Sequence, residues 1–295
     1  MSTSILPDDQ EPLEARKGKT QAVRRSVIGS RATVARTVRG VPEVLIKISS
    51  SAKDMRAIAA SVDYISRHGM VELEDEHGDT YVGDDARLEA LSEWRGLPKS
   101  KGDRRESFHI VFSMPVQTDR TAVTESVRRF AAETFEGHQY VFATHNDTDR
   151  PHVHLMVKAT PYRGSKRLNP RKADLQLWRE VFAGHLRSLG VEANATPRAA
   201  RGVTRYSRKQ GAIEFDKKRG VFVQTKTEAK PQNVPNLIKQ REQVIAEYGL
   251  MVKALSEGTA ADKRLASDIT QYVQALGPVA TERAFEPEIS NGLER

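Results

Sequence analysis

The stretch Gln139-Tyr-Val-Phe-Ala-Thr-His145-Asn-Asp147-Thr-Asp149-Arg-Pro151-His152-Val-His154-Leu-Met-Val-Lys158 decides the fold. Residues 139–145 and 152–158 have the apolar make-up of strands, and the residues between them, Asn146 to Pro151, are turn formers. The spacing predicts an antiparallel hairpin. Side chains alternate along a strand, so His152 and His154 share one face while Val153, Leu155 and Val157 take the other. The return of the hairpin brings His145, at the end of the first strand, beside that pair. Three imidazoles then converge while leaving coordination positions open, as a catalytic metal requires. Asp147 and Asp149 stand in the turn, where either can accept the second ring N–H of a ligand imidazole. The chain has no cysteine, so His, Asp and Glu are the side chains left to hold a metal. Imidazole suits zinc, manganese and several other divalent ions.

Outward from the hairpin, Phe108–Met114 alternates as a strand stopped by Pro115. Thr118 and Asp119 are cap candidates for a helix carrying Val123, Val127, Phe130 and Phe135, closed by Gly137. After the hairpin, Leu175, Trp178, Val181, Phe182, Leu186 and Leu189 recur with helical period up to Gly190. Upstream, residues 44–48 read as a strand and Ser49, Ser50 and Ser51 as a turn. A helix from Asp54 to His68 follows, with Met55, Ile58, Ala59, Val62 and Ile65 on one stripe and Gly69 as its stop. Residues 70–107 are charged and mixed, with a helix expected around Ala86–Trp94. The order predicts an α+β fold, a mainly antiparallel sheet covered by flanking helices, for residues 44–220. Residues 1–43 read as a flexible basic arm, and 221–295 as a helical C-terminal extension with helices over 234–257 and 261–276.

Tyr64 lies more than 90° from the middle of the Ile58, Val62, Ile65 stripe, so it is not a core residue of its helix. Arg67 also lies off the stripe, where a guanidinium can reach a phosphate. The net charge of +8 and the isoelectric point near 9.6 favour a polyanionic partner. Residues 163–219 are strongly basic, with Arg163, Lys166, Arg167 and Arg171 nearest the hairpin and Tyr162, Trp178 and Tyr206 interleaved. Arginines grip phosphates and aromatic faces stack bases, although Trp178 fits the apolar stripe of its own helix better. No apolar run approaches the ~18 residues of a membrane span. The first residues lack the apolar stretch of a secretory signal, so a cytoplasmic protein is expected.

Together these segments resemble the relaxases, or mobilisation nucleases, among the HUH endonucleases, in the branch that includes the agrobacterial T-DNA border endonuclease and many plasmid mobilisation proteins. The resemblance is carried by Tyr64-Ile-Ser-Arg67-His-Gly69, by the Ser113-Met-Pro115 turn after a strand, and by the His-x-Asp-x-Asp-x-Pro-His-x-His run from His145 to His154. It covers roughly residues 44–220, and the order and spacing of the motifs are more specific than any one of them. It implies a palm-like antiparallel sheet and a nucleophilic Tyr64 that attacks single-stranded DNA at a transfer origin, giving a 5′-phosphotyrosyl link and a free 3′ hydroxyl. It also implies a divalent ion, Mn²⁺ or Mg²⁺ in most members with Zn²⁺ an alternative, on His145, His152 and His154. Asp147 would orient a histidine or assist proton transfer. Accessory DNA-binding and coupling proteins of a type IV secretion system are the implied partners, with export of the protein bound to its DNA. One departure is visible: Lys158 stands where many relatives carry Asn. An HUH replication initiator or transposase would share this chemistry, but the chain lacks the Gly-x-x-x-x-Gly-Lys-Ser/Thr loop of a helicase. A histidine-triad hydrolase is disfavoured by Met156 at the third position of His152-x-His154-x-Met156. A metal-containing DNA-binding protein without catalysis is the other alternative.

Overall fold

The computed structural model describes residues 30–94, 103–164, 166–202, 206–207, 215, 219–220, 226–227 and 234–276. One six-stranded sheet forms the centre. Its strands are β1 (Leu45–Ala52), β2 (Leu73–Asp75), β3 (Thr80–Tyr81), β4 (Ser107–Ser113), β5 (Tyr140–His145) and β6 (His152–Lys158). They run in the order β1-β4-β6-β5-β2-β3, and every pairing is antiparallel. The predicted hairpin is the β5–β6 pair, with His145 opposite His152 and Ala143 opposite His154. It occupies the middle of the sheet, with β4 on its far side.

Alternation divides the two faces as the hairpin requires. Phe108, Ile110, Phe112, Phe142, Val153, Leu155 and Val157 point to one side and pack against helices α4 (Arg120–Thr134) and α5 (Lys172–Ser188). There Val123, Val127 and Phe130 of α4 meet Trp178, Phe182 and Leu186 of α5, so Trp178 is core as its stripe suggested. Full burial of such side chains contributes roughly 1.5–3 kcal/mol each. On the other face Val141, Ala143 and Met156 pack under α2 (Met55–Ile65) and α3 (Ala86–Ala90), against Ile58, Val62 and Ile65. The apolar strip beneath α2 is short, and the sheet beyond it carries the histidines.

Several expectations shift. Ser49–Ser51 is not a turn: it belongs to β1, paired with β4 as far as Ala52↔Ser107, with a register irregularity between Ile48 and Ser50. Ladder pairing outweighs the turn preference of serine, and an edge strand tolerates polar side chains. The helix expected up to His68 ends at Ile65, and β2 and β3 fall within the stretch read as mixed. Within the expected arm, residues 1–29 lie outside the described residues, while Arg31–Val38 form helix α1, N-capped by Ser30. Its Val34 is fully buried against α6 (Val234–Ser256) and α7 (Ala260–Ala275), the two helices expected near the C-terminus, with Val244, Tyr248 and Ile269 around it. Arg31 also pairs with Asp262. An eight-residue helix with so few inward positions has almost no periodic signal. Among the described residues no helix is long and apolar enough to cross a membrane.

Candidate active site

Helix α2 carries the first component. Asp54 caps it by accepting from the Ala57 N–H at 2.8 Å, and burial of Ile58, Val62 and Ile65 fixes its rotation on the sheet. That rotation leaves Tyr64 51% exposed beside the histidines. Its ring stands edge-on to His154, with centroids 6.1 Å apart, and to His109 at 6.3 Å.

Past Ile65 the chain takes three successive left-handed residues, Arg67 (φ 53°), His68 (φ 57°) and Gly69 (φ 82°). Glycine accepts this conformation readily, but Arg67 does so at a cost that local contacts must offset. The turn aims the Arg67 guanidinium back into the site. It donates to an Asp147 carboxylate oxygen, lies 3.3 Å from His145 Nδ1, and sits 5.0 Å from the centre of the Tyr64 ring. Burial works against the charge on Arg67, but hydrogen bonds to Tyr64 and Asp147 outweigh it and raise its pKa. Burial likewise works against the Asp147 carboxylate, yet Arg67 holds it below the ordinary range.

The three predicted histidines converge: each offers a ring nitrogen, and these atoms lie within 4.8 Å of one another. Their orientations are set by what the other nitrogens touch. His145 Nε2 donates to the Ile65 carbonyl at 2.7 Å, tying β5 to the end of α2. His152 Nδ1 donates to the Arg150 carbonyl at 3.0 Å, and its Nε2 lies 3.8 Å from Asp147. His154 Nδ1 faces His109 Nε2 at 2.7 Å. Burial, followed by the neighbouring imidazoles, drives His154 down to about 3, and burial takes His109 to about 4. Both are neutral at pH 7, the state in which an imidazole coordinates a metal. Three imidazole nitrogens beside a carboxylate are a suitable set for a divalent transition ion.

Two contributors, His109 and Arg120, escaped the sequence reading, and a third, Ser113, entered it only as part of a motif. His109, on β4, shares the face of His154 and is 6% exposed. Its signal was the alternation His109, Val111, Ser113, legible once β4 is paired with β6. Arg120, at the start of α4, donates to the carbonyls of His145 and Thr148 and to the side chain of Asn146, and so holds the turn bearing Asp147. Ser113 donates to the Pro151 carbonyl at 3.2 Å, bracing the same turn from β4. Two openings flank the cluster. One of about 390 Å³ is bounded by Ser49, Ser50, Ala60, Ser61, Tyr64, His109 and His154. The other, of about 480 Å³, includes Arg67, Thr144, His145, Asn146 and Asp147 in its wall.

The basic residues after the hairpin do not join this cluster. Arg163, Lys166, Arg167 and Arg171 follow the far end of β6, six residues and about 20 Å along the strand from His152. The strand β6 carries the chain away from the histidines before these residues are reached. Arg167 is engaged within the protein, donating to Glu106 at 2.9 Å and to the Arg105 carbonyl at 2.7 Å. Arg163 is exposed and lies 4.0 Å from Glu136, and Arg171 is an exposed residue at the N-terminus of α5. Lys158 lies at that same end, buried, with its ammonium donating to Gln139 at 2.8 Å. The position that departs from the family pattern is thus remote from the histidines. Tyr206 is described only as part of a two-residue pairing with Thr227.

Residues 64–190 match the family described as Relaxase: MobA/VirD2-like, nuclease domain. The chain is 31% identical over 183 residues to the T-DNA border endonuclease VirD2 of Rhizobium radiobacter, a match covering 55% of this chain and 43% of that protein. It is 26% identical over 184 residues to the protein of the same name from Agrobacterium fabrum, covering 55% of this chain and 41% of the relative. The chain therefore spans less than half the length of these curated relatives.

Proposed function

Since residues 64–190 carry the signature of the MobA/VirD2-like relaxases, we propose that this protein nicks single-stranded DNA at a transfer origin by transesterification through Tyr64. The observation that carries the reading is the meeting of an exposed Tyr64 with three convergent histidines from a segment some eighty residues further on. In the step, the Tyr64 oxygen bonds to the scissile phosphorus and the bond from phosphorus to the 3′ oxygen breaks. The phenol loses a proton and the departing 3′ oxygen takes one up. The 5′ phosphate stays on the protein as an ester of similar energy to the one broken, so the strand can be rejoined later. Arg67, 5.0 Å from the centre of the Tyr64 ring, stands where its guanidinium can grip the attacked phosphate. Asp147 keeps Arg67 in place and stands beside His152. A divalent ion on His145, His152 and His154 would polarise the phosphate and offset its developing charge. The competing tyrosines are poorly suited: Tyr140 is buried and pushed up to about 12, and Tyr81 is raised by burial and its 2.7 Å bond to Asp75.

The direct test is incubation with labelled single-stranded DNA from the transfer origin of its own replicon, with Mn²⁺ or Mg²⁺, followed by a denaturing gel. A covalent protein–DNA band with a matching free 3′ end is expected. Binding without any covalent band would instead favour a metal-containing DNA-binding protein.

Two further results are expected. Replacing His152 or His154 with Ala lowers Mn²⁺ affinity at least a hundredfold in calorimetric titration, since each removes one of three donors. Undiminished affinity in both would end the three-ligand reading. For the remote basic end, the combined variant Arg163→Ala, Lys166→Ala, Arg171→Ala tests whether the bound strand extends that far. If all three touch phosphates, the log–log salt slope for single-stranded DNA falls by about 2, at about 0.7 per contact. A slope equal to the parent's excludes these contacts. Delivery of the bound DNA to a type IV secretion system is part of the same proposal and rests on the resemblance.

A further inference from the structure

His109 is the buried titratable group of this site that the reaction above does not use. It lies on β4, reaches across to β6, and places Nε2 2.7 Å from His154 Nδ1. Two imidazole nitrogens at that distance share one proton, and its position decides what the His154 ring can do. If His109 Nε2 carries it, His154 Nδ1 is the acceptor and the His154 Nε2 must hold the other proton, leaving no lone pair for a ligand. If His154 Nδ1 carries it, His109 accepts and the His154 Nε2 lone pair is free. The other two histidines of the cluster have ring protons anchored by main-chain carbonyls, Ile65 for His145 and Arg150 for His152. The nitrogen of His154 that faces away from the cluster meets a side chain instead.

We propose that His109 is a positioning residue, which accepts the Nδ1 proton of His154 and so keeps the His154 Nε2 lone pair available to the three-histidine cluster. This rests on the metal reading above for its consequence, but not for the hydrogen bond itself. A backbone carbonyl can only accept, whereas an imidazole can play either part, so at His154 the state of the His109 ring sets which nitrogen is protonated. Both rings are largely buried beneath the opening they border, His109 6% and His154 7% exposed, so a lost partner is costly to leave unreplaced. The same contact keeps the His154 ring tilted against that of His109, with centroids 5.0 Å apart, beside Tyr64.

Two variants separate positioning from packing. His109→Phe keeps a ring of similar size but offers no acceptor, and His109→Gln keeps an amide oxygen that can take the His154 proton. Long-range ¹⁵N–¹H correlation spectra of the full-length, metal-free protein report which nitrogen of His154 is protonated. Calorimetric titration with MnCl₂ reports affinity, and circular dichroism confirms folding. The parent and His109→Gln should show the Nδ1–H form of His154, and His109→Phe should lose it. Mn²⁺ affinity should fall about 10- to 100-fold in His109→Phe, the usual cost of removing such a partner, and return to within about fivefold of the parent in His109→Gln. An Nδ1–H form retained in His109→Phe overturns the proposal, as does equal loss of affinity in both variants. A parent that shows the Nδ1–H form but binds no Mn²⁺ would refute the metal reading while leaving the His109–His154 bond intact. If His109→Phe does not fold, an Nε2–H form of His154 in the parent or in His109→Gln would still refute the assignment.

Discussion

A Tyr64→Phe protein should fold, bind Mn²⁺ and bind single-stranded DNA within a few-fold of the parent, yet form no covalent adduct and leave no nick. The substitution removes one oxygen and keeps the ring that stands edge-on to His109 and His154. Tyr64 is half exposed, so losing its hydroxyl should cost less than about 0.5 kcal/mol in stability. The effect on chemistry should be total, because the attacking atom is gone. A gel shift beside a denaturing adduct assay distinguishes the two quantities. An adduct formed by Tyr64→Phe would move the nucleophile elsewhere, although the buried Tyr140 and the Asp75-bound Tyr81 are poor replacements.

The second large effect is expected at Gly69, which no reaction step touches. Its φ of 82° is left-handed, and a Cβ placed there would lie 1.9 Å from the Gly83 carbonyl oxygen, a rigid main-chain atom. The same two residues are joined by a hydrogen bond from the Gly83 N–H to the Gly69 carbonyl at 2.9 Å. Gly69→Ala must therefore push the segment after β3 away from the turn that follows α2. We expect a loss of about 2–4 kcal/mol from backbone strain and displaced packing, read as a lowered urea midpoint. Adduct formation should fall as well, since Arg67 is held by the same turn. Gly83→Ala is a useful contrast, as nothing lies within 4 Å of its Cβ, and its cost should come from its left-handed φ alone. If Gly69→Ala unfolds at the parent's urea concentration, the close approach of Gly69 and Gly83 is not a feature of the folded protein.

Much of this was readable from residues whose pattern is local. The β5–β6 hairpin announces itself through two apolar runs and a turn-rich link, and α2 and α4 through helical stripes, α4 with its cap at Asp119 as well; the cap of α2 at Asp54 emerged with the structure. The convergence of His145, His152 and His154 follows from strand alternation and the hairpin return. What stayed hidden depends on pairing between distant segments. β2 and β3 are three and two residues long, too short for any periodicity. Ser49–Ser51 looks like a turn until β4 is laid beside it. His109 becomes part of the site through the β4–β6 register, which places it opposite Met156, one step along from His154 on the same face. The direction in which Arg163–Arg171 leaves the sheet is likewise a property of the whole fold.

The strand β6 carries two messages in one phase. His152, His154 and Met156 face α2, while Val153, Leu155 and Val157 fill the core against α4 and α5. Sliding it by a single residue would bury imidazoles among phenylalanines and leave valines where the three histidines converge. A molecule in the wrong register therefore loses its stability along with its chemistry, so a well-folded but inactive form should not arise by slippage. Over time, such a strand can change its residues but scarcely its length. Insertions and deletions in this region are expected to collect in the exposed Asn146–Arg150 link, at some expense to the grip of Arg120, and not within β5 or β6.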